Sequence, residues 1–390
     1  MQICNCSQNR FLFITLFSMH LFPFSIFKSK SVNIARFFKN IDADFIPVID
    51  EVSLIRNNLV AYLEDNSPPE ICAASYEAYL PHMFALTHAL EVQGSAIKRR
   101  YAFSTKWSSL IAPNSKLIDT AGIYYEATFI LLGYATTLSN VTFSALTEAT
   151  SETIGTIFSD GVKNLRKAAG IADFVSKSVA PHIGPLERNH HPEVLPEFAA
   201  MLSELLIAEA NGIALEKLLL DGKLKGMPAA RICLDIKESM EKCMGILDEM
   251  VNEHEKFNEE LPRHFDEVRH FYSARACRFI AEQKNSDEMV GEAIAYLYKG
   301  QLYLHNIKNS VGQYKYKFIN ADNNVFLNGL KSERTSIDQL MFDYKNQNDI
   351  CERQVIPEAD DLPFPASERF LELTEFNLPN PIFDEIVLKE

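Results

Sequence analysis

Apolar residues recur at i, i+3 and i+4 through nearly all of residues 31–345, and few stretches alternate apolar with polar. A repeat near 3.6 lines one face of an α-helix, whereas a half-buried strand needs a repeat of two, so the chain is confined to an all-α body. Ile49, Val52, Ile55, Leu59 and Tyr62 form one such stripe. A second helix is expected from Asp119 to about Asn140. It is apolar nearly all round, through Tyr124, Tyr125, Phe129, Ile130, Leu131, Leu132 and Tyr134, and should lie at the centre of the core.

Punctuation divides the pattern into discrete helices. Pro181 and Pro185 close one segment, and Pro192 and Pro196 introduce the next. Gly226 and Pro228 separate a helix ending near Leu220 from one carrying Ile232 and Ile236, and Pro262 suits a first helical turn. Asn285 and Glu288 read as a capping pair before a helix over Met289–Leu304. No low-complexity linker interrupts residues 31–345, so one unit of stacked helical hairpins is expected, as in a solenoid. Beyond Pro357 the composition turns to Pro, Asp and Phe, which suggests an extended tail laid across the body. The expected division is an apolar leader over 1–30, the helical domain over 31–376 and a short tail over 377–390.

With 47% apolar and 23% charged residues, the chain can bury a large core and is not disordered. Its 38 basic against 52 acidic residues give a net charge of −14, and the longest basic run is Lys98-Arg99-Arg100. Duplex binding draws on clustered Lys and Arg to release counterions, so nucleic acid is not an expected partner. The seven cysteines are scattered, without a CxxC pair or a histidine at zinc-ligand spacing, and read as reduced, small buried hydrophobes in a cytoplasmic protein.

Phe11–Phe27 is strongly apolar but too short to span a bilayer, and Pro23 and His20 interrupt it. Three readings stand: a membrane leader, a docked apolar arm, or a wrongly chosen start codon. Were the chain secreted, Asn5-Cys6-Ser7 and Asn140-Val141-Thr142 would be formal glycan acceptors, the second awkwardly placed at the end of a helix.

GxGxxG, GxxxxGK[ST], GxSxG and HExxH are all missing. The nearest metal-like cluster, His190-His191 with Glu193, reads as a solvated loop, because adjacent histidines point apart. His254, His264 and His270 read as surface or half-buried side chains, and the acidic run Glu249–Glu260 as a solvated helix face. No catalytic residue, metal or cofactor is expected.

Six segments, in order, resemble the BRO1 domain family. Ala102-Phe103-Ser104-Thr105-Lys106-Trp107 is similar to its F-x-W segment and holds the only tryptophan. Tyr125-Glu126-Ala127-Thr128-Phe129-Ile130-Leu131-Leu132-Gly133-Tyr134-Ala135 resembles its [YF]E-x-x-x-[VL]-[LF]-F-N-x-x-A helix, with Gly133 in place of an asparagine. Lys167-Ala168-Ala169-Gly170-Ile171-Ala172-Asp173-Phe174 resembles A-[AS]-G-x-[FL], and Leu206-Ile207-Ala208-Glu209-Ala210-Asn211 resembles L-x-A-[QE]-A-Q. Gly291-Glu292-Ala293-Ile294-Ala295-Tyr296-Leu297 matches G-E-x-I-A-x-L. Asn348-Asp349-Ile350 with Val355-Ile356-Pro357 is similar to the closing N-[DG]-x-I-Y-x-x-x-[VI]-P.

The resemblance covers roughly residues 33–376 and is nearest to the short, single-domain members. It implies a curved, boomerang-shaped domain of tetratricopeptide-like hairpins with room for a small N-terminal β element. It also implies a non-enzymatic adaptor, cytoplasmic and recruited to endosomal membranes, that binds the C-terminal amphipathic helix of an ESCRT-III subunit of the Snf7/CHMP4 class. The mapped patch is Ala214, Leu218 and Met227, with Ala230 and Arg231 a turn further on. Ala214 stands where some members place an aromatic, which leaves room for a different peptide partner. The ending Val387-Leu388-Lys389-Glu390 is no CaaX box and Gln2 excludes myristoylation, so no lipid anchor is expected.

Overall fold

A computed structural model describes residues 21–38, 43–92, 103–111, 116–184, 186, 190–251, 260–311, 324–380 and 382. The helices are α1 (Ile46–Glu64), α2 (Pro69–Val92), α3 (Ile123–Thr147), α4 (Ile154–Phe174), α5 (Pro196–Leu220), α6 (Gly226–Val251), α7 (Glu260–Ser286), α8 (Val290–Val311) and α9 (Asn324–Gln347). Each packs chiefly on its neighbours in sequence, which makes the body a stack of hairpins. The only sheet among the described residues is β1 (Ser104–Trp107) against β2 (Ile118–Ala121), antiparallel, with Ser29 bridging to Trp107. Asp119 therefore lies in β2, and the helix expected from it begins at Ile123. Glycine permits that start, since Gly122 takes φ 120° and donates to the Phe103 carbonyl at 2.6 Å.

Sharp reversals explain how short loops join long helices. α5 ends in a Schellman turn: Lys223 N–H reaches the Leu218 carbonyl at 2.9 Å, and Gly222 adopts φ 65°. α7 ends the same way, with Met289 N–H on Lys284 O at 2.8 Å and Glu288 at φ 62°. Asn285 and Glu288 thus close α7 and do not cap α8, a correction to the capping-pair reading.

α3 and α5 are long and apolar enough to cross a membrane, but they are core helices, with 67% and 89% of their most apolar windows buried. Of the α1 stripe, Ile49, Val52 and Leu59 are buried, while Tyr62 is exposed and Arg56 takes an inward place. Arg56 Nε donates to Glu126 Oε1 at 2.6 Å, and Trp107 Nε1 donates to Glu126 Oε2 at 2.9 Å, all three side chains sealed from water. The same guanidinium donates to Lys30 O at 2.9 Å and Ser29 Oγ at 3.1 Å. This pair joins α1, α3, β1 and the N-terminal segment, and burying it is tolerable because each charge is met by several partners. Gly133, the departure from the family pattern, has a packing role: a Cβ there would stand 2.3 Å from the Tyr76 hydroxyl.

Residues 21–30, ahead of the expected boundary, pack against the helical body. Leu21, Phe22, Phe24 and Phe27 are buried, and Phe27 packs edge-on against Phe129 and Trp107. Asn140 donates to Phe24 O at 3.0 Å and accepts from Phe24 N–H at 3.1 Å, which commits that side chain to the arm and not to a glycan. Phe22 N–H donates to Glu209 Oε1 at 2.6 Å. Of the three readings of the leader, the docked arm describes residues 21–30. Phe11–His20 and Asn5-Cys6-Ser7 lie outside the described residues, as do Cys4 and Cys6. Cys72, Cys233, Cys243 and Cys277 are free and buried, and Cys351 is free and exposed.

Burial pushes the Glu209 carboxyl up to about 8, against the opposing pull of Phe22 N–H and the Ser139 hydroxyl. The folded chain holds this proton after the unfolded chain has released it. Its stabilisation is therefore complete below about pH 4.5 and is lost as pH rises toward 8, at roughly 1.4 kcal/mol per pH unit. Urea unfolding of wild type and Glu209→Gln between pH 5 and 9 should show a shallower decline for the variant; parallel curves would refute the assignment.

Candidate functional site

After α9 the chain makes a π-helical turn, Asn348–Glu352, and then becomes extended apart from a 3-10 turn at Ala359–Asp361. Asn348 holds the exit, accepting Gln354 N–H at 2.8 Å and donating to Gln354 O at 3.0 Å. From here the tail runs back over the helices in reverse order. On α8, Gly291 N–H meets Gln354 Oε1 at 3.0 Å, Tyr296 Oη donates to Pro363 O at 2.6 Å and Lys299 Nζ to Leu362 O at 2.7 Å. On α6, Glu368 N–H donates to Arg231 O at 3.2 Å. Leu371 N–H reaches Asn211 Oδ1 on α5 at 2.9 Å, and Thr374 N–H reaches Arg166 O on α4 at 3.0 Å. Phe376 closes the path between Phe84 of α2 and Phe174.

Two motif glycines mark where this strap touches helix backbone. A Cβ at Gly170 would lie 1.8 Å from Thr374 O, and one at Gly291 would lie 2.3 Å from Val355 O. Either position demands a bare Cα for steric reasons.

Arg369 pins the centre of the strap. Its guanidinium contacts Glu204 of α5, donates to Asp235 Oδ1 of α6 at 3.2 Å and to Ser239 Oγ at 3.0 Å. Burial raises the Glu204 carboxyl, but Arg369, Ser239 and Lys242 outweigh it and hold the group below the usual range. At Asp235 burial wins over Arg369, and the carboxyl rises.

Between Ser367 and Thr374 the strap alternates like a β-strand. Arg369, Leu371 and Leu373 face the helices, and Glu368, Phe370 and Glu372 face water. Phe370 is 50% exposed, an aromatic ring on the polar side of an anchored segment. Sequence reading missed it. The period of two in Arg369, Leu371 and Leu373 was the available signal, since it leaves Phe370 on the opposite side.

The mapped patch residues fall beside this crossing, on the faces that carry the strap. On α5, Ala214 and Leu218 continue the stripe of Asn211; on α6, Met227 precedes Arg231 by one turn. Leu218 and Met227 are half-buried, and Arg231 is exposed and pairs with Glu368 at 3.5 Å. Ala230 is completely buried, and Ala214 is only 7% exposed. Both were read as contact residues. Ala230 is corrected to a packing residue, because no atom of it can meet a partner unless α6 moves; Ala214 forms floor beneath Leu218.

The loop expected to be solvated is instead buried at His191 and Glu193. His191 Nε2 lies 3.0 Å from Trp107 O, and Glu193 Oε1 accepts from Ser109 Oγ at 2.6 Å and from Leu110 N–H at 2.5 Å. Buried backbone donors need acceptors, and Glu193 supplies one to Leu110 N–H and, at 3.4 Å, to Ile111 N–H. His264 is likewise buried, its imidazole pushed down to about 3 by burial with help from Arg263. His270 is half-buried and raised by its Asp266 partner. His254 and most of the acidic run lie outside the described residues. Among the described residues no group of three or more His, Cys, Asp or Glu could hold a metal ion.

The pattern of the BRO1-like domain matches residues 30–387, and the chain belongs to that family. Compared with curated protein sequences, it matches none. Its fold is similar to the solved "ALIX BRO1 CHMP4C complex", at 15% identity and a TM-score of 0.70, covering 94% of this chain and 99% of the other. A Bro1 domain solved as the basis for endosomal targeting is similar at 14% identity and a TM-score of 0.67, covering 92% and 94%. ALIX in complex with the SIVmac239 PYKEVTEDL late domain is similar at 16% identity and a TM-score of 0.71, covering 94% of this chain and 51% of that one.

Gly170→Ala should lift the strap from α4, at a cost of about 1–3 kcal/mol; mass spectrometry after limited proteolysis should find earlier cleavage within residues 367–376. Arg369→Ala leaves Asp235 partly buried without its cation and Glu204 with only Lys242 and Ser239, and should lower thermal stability more than Phe370→Ala, measured side by side by calorimetry. Equal melting temperatures for those two variants would contradict the pinning role.

Proposed function

We propose that this chain is a non-enzymatic adaptor that binds the C-terminal amphipathic helix of an ESCRT-III subunit of the CHMP4 class. The observation that carries the reading is a set of apolar side chains left open to water where the strap crosses the α5–α6 hairpin: half-buried Leu218 on α5 and Met227 on α6, and Phe370, 50% exposed, on the strap itself. An amphipathic helix buries its i, i+3, i+4 stripe in such a place, and a flexible thioether adapts to what arrives. The complex of the similar ALIX BRO1 domain with CHMP4C supports the choice of partner.

The buried titratable groups support an adaptor over a catalyst. Glu126, Glu204 and Glu209, and Glu193 through Oε1, accept from the chain's own donors, tying N-terminal arm, loop and strap to the helices. Work of this kind takes place in the cytoplasm at endosomal membranes, the protein being brought there by its partners.

Fluorescence anisotropy with a labelled C-terminal helix of a CHMP4-class subunit tests the reading. Wild type should bind. Met227→Asp and Phe370→Asp should each weaken binding tenfold or more, since a desolvated carboxylate costs on the order of 2 kcal/mol or above, while melting temperatures stay close to wild type. Binding unaffected by both substitutions would remove these side chains as the site.

A further inference from the structure

The chain beyond Pro357 carries one short pattern twice. Leu362-Pro363-Phe364-Pro365 and Leu378-Pro379-Asn380-Pro381 both read Leu-Pro-x-Pro. The first copy is docked on α8. Leu362 is buried, Lys299 Nζ donates to its carbonyl at 2.7 Å, and Tyr296 Oη donates to the Pro363 carbonyl at 2.6 Å. The Phe364 ring lies 6.3 Å from the Tyr303 ring, and Lys299 Nζ stands 4.8 Å from its centroid. Prolines offer carbonyls but no N–H, so a surface that receives such a segment must supply donors beside its aromatic walls. α8 supplies a phenol and an ammonium.

The second copy has no such cover. Phe376 is the last ring seated on the helices, between Phe84 and Phe174. Past it, among the described residues, none makes a hydrogen bond with residues 377–380 or 382. Leu378 and Ile382 are each 54% exposed.

Local chemistry sets the shape of this copy. A proline disfavours the α region for the residue before it, which restricts Leu378 and Asn380 to extended, polyproline II-like backbone. At three residues per turn, Pro379 and Ile382 share one edge, Leu378 stands on the next, and Asn377 and Asn380 share the third. Two apolar edges and one amide edge suit a segment that lies in a groove with its third side in water. Because the shape is set before binding, little entropy is lost on docking.

We propose that Leu378-Pro379-Asn380-Pro381-Ile382 is a second partner site, independent of the docking reading above, for a protein domain with an aromatic-lined groove of the kind that takes polyproline II segments. The groove repeats the chemistry of α8, with tyrosine or tryptophan rings as walls and a hydroxyl or indole N–H aimed at the carbonyls of Leu378 and Pro379. It draws on none of Leu218, Met227 and Phe370.

Anisotropy of the labelled full-length chain against an array of purified SH3, WW and EVH1 domains tests this. At least one domain should bind wild type. Leu378→Asp and Pro379→Ala should each weaken that binding tenfold or more with melting temperatures unchanged, because both side chains lie outside the core. Met227→Asp should leave it as it is. No binding across the array, or binding that survives both substitutions in the segment, would overturn the proposal. A dimer in sedimentation that is lost in Leu378→Asp would assign the segment to a second copy of this chain, and would overturn it as well.

Discussion

Arg369 sits between two carboxylates on adjacent helices, Glu204 of α5 and Asp235 of α6, and the lie of the strap depends on that contact. An extended segment has no internal hydrogen bonds and loses a large conformational entropy when it is fixed. Single backbone contacts spaced along α6, α5 and α4 would leave it frayed. A guanidinium, planar and always charged, satisfies both carboxylates at once and holds the strap in one register. That register decides which side chains of a period-two segment face water, and so it presents Phe370 outward.

The same device recurs along the chain. At the other end of the molecule Glu126 gathers Arg56, Trp107 and, through Arg56, the backbone at Lys30. Glu209 receives Phe22 N–H, and Glu193 receives the backbone at Leu110. A stack of hairpins is held only by contacts between neighbours. Buried carboxylates that reach out to non-helical chain supply the long-range ties which such a stack lacks. Several of the segments that resemble the family pattern are these ties. Glu126, Glu209, Asn211 and Asn348 are acceptors for extended chain, and Gly170 and Gly291 are the places where that chain lies against a helix.

The helical period, the proline and glycine punctuation and the tail beyond Pro357 were legible in the chain because each expresses a local preference. Pro262 stands in the first turn of α7, and Gly226, at φ 59°, opens α6 after the break that follows α5. Short-range rules failed where the deciding partner was distant. Asn285 and Glu288 have the spacing of an N-terminal cap, yet the chain uses that turn to end α7. His191 and Glu193 look like polar loop residues, yet they are buried, His191 against the Trp107 carbonyl and Glu193 as acceptor for Leu110 and Ile111 N–H. Ala230 fell within the patch that the family resemblance implied, but which face of α6 is covered is settled by α5 and α7.

The sequence by itself determined an all-α chain of successive hairpins and its kinship, since periodicity and turn residues act within a few positions of one another. Tertiary structure alone decided where the apolar arm at 21–30 docks, which way the strap faces, and that Phe370 stands outward over the α5–α6 hairpin. The physical reason is distance along the chain. Phe370 meets the α5–α6 surface through Arg369 and Leu371, whose partners lie 134 to 165 and 160 residues away, and no local pattern encodes a pairing across such a span.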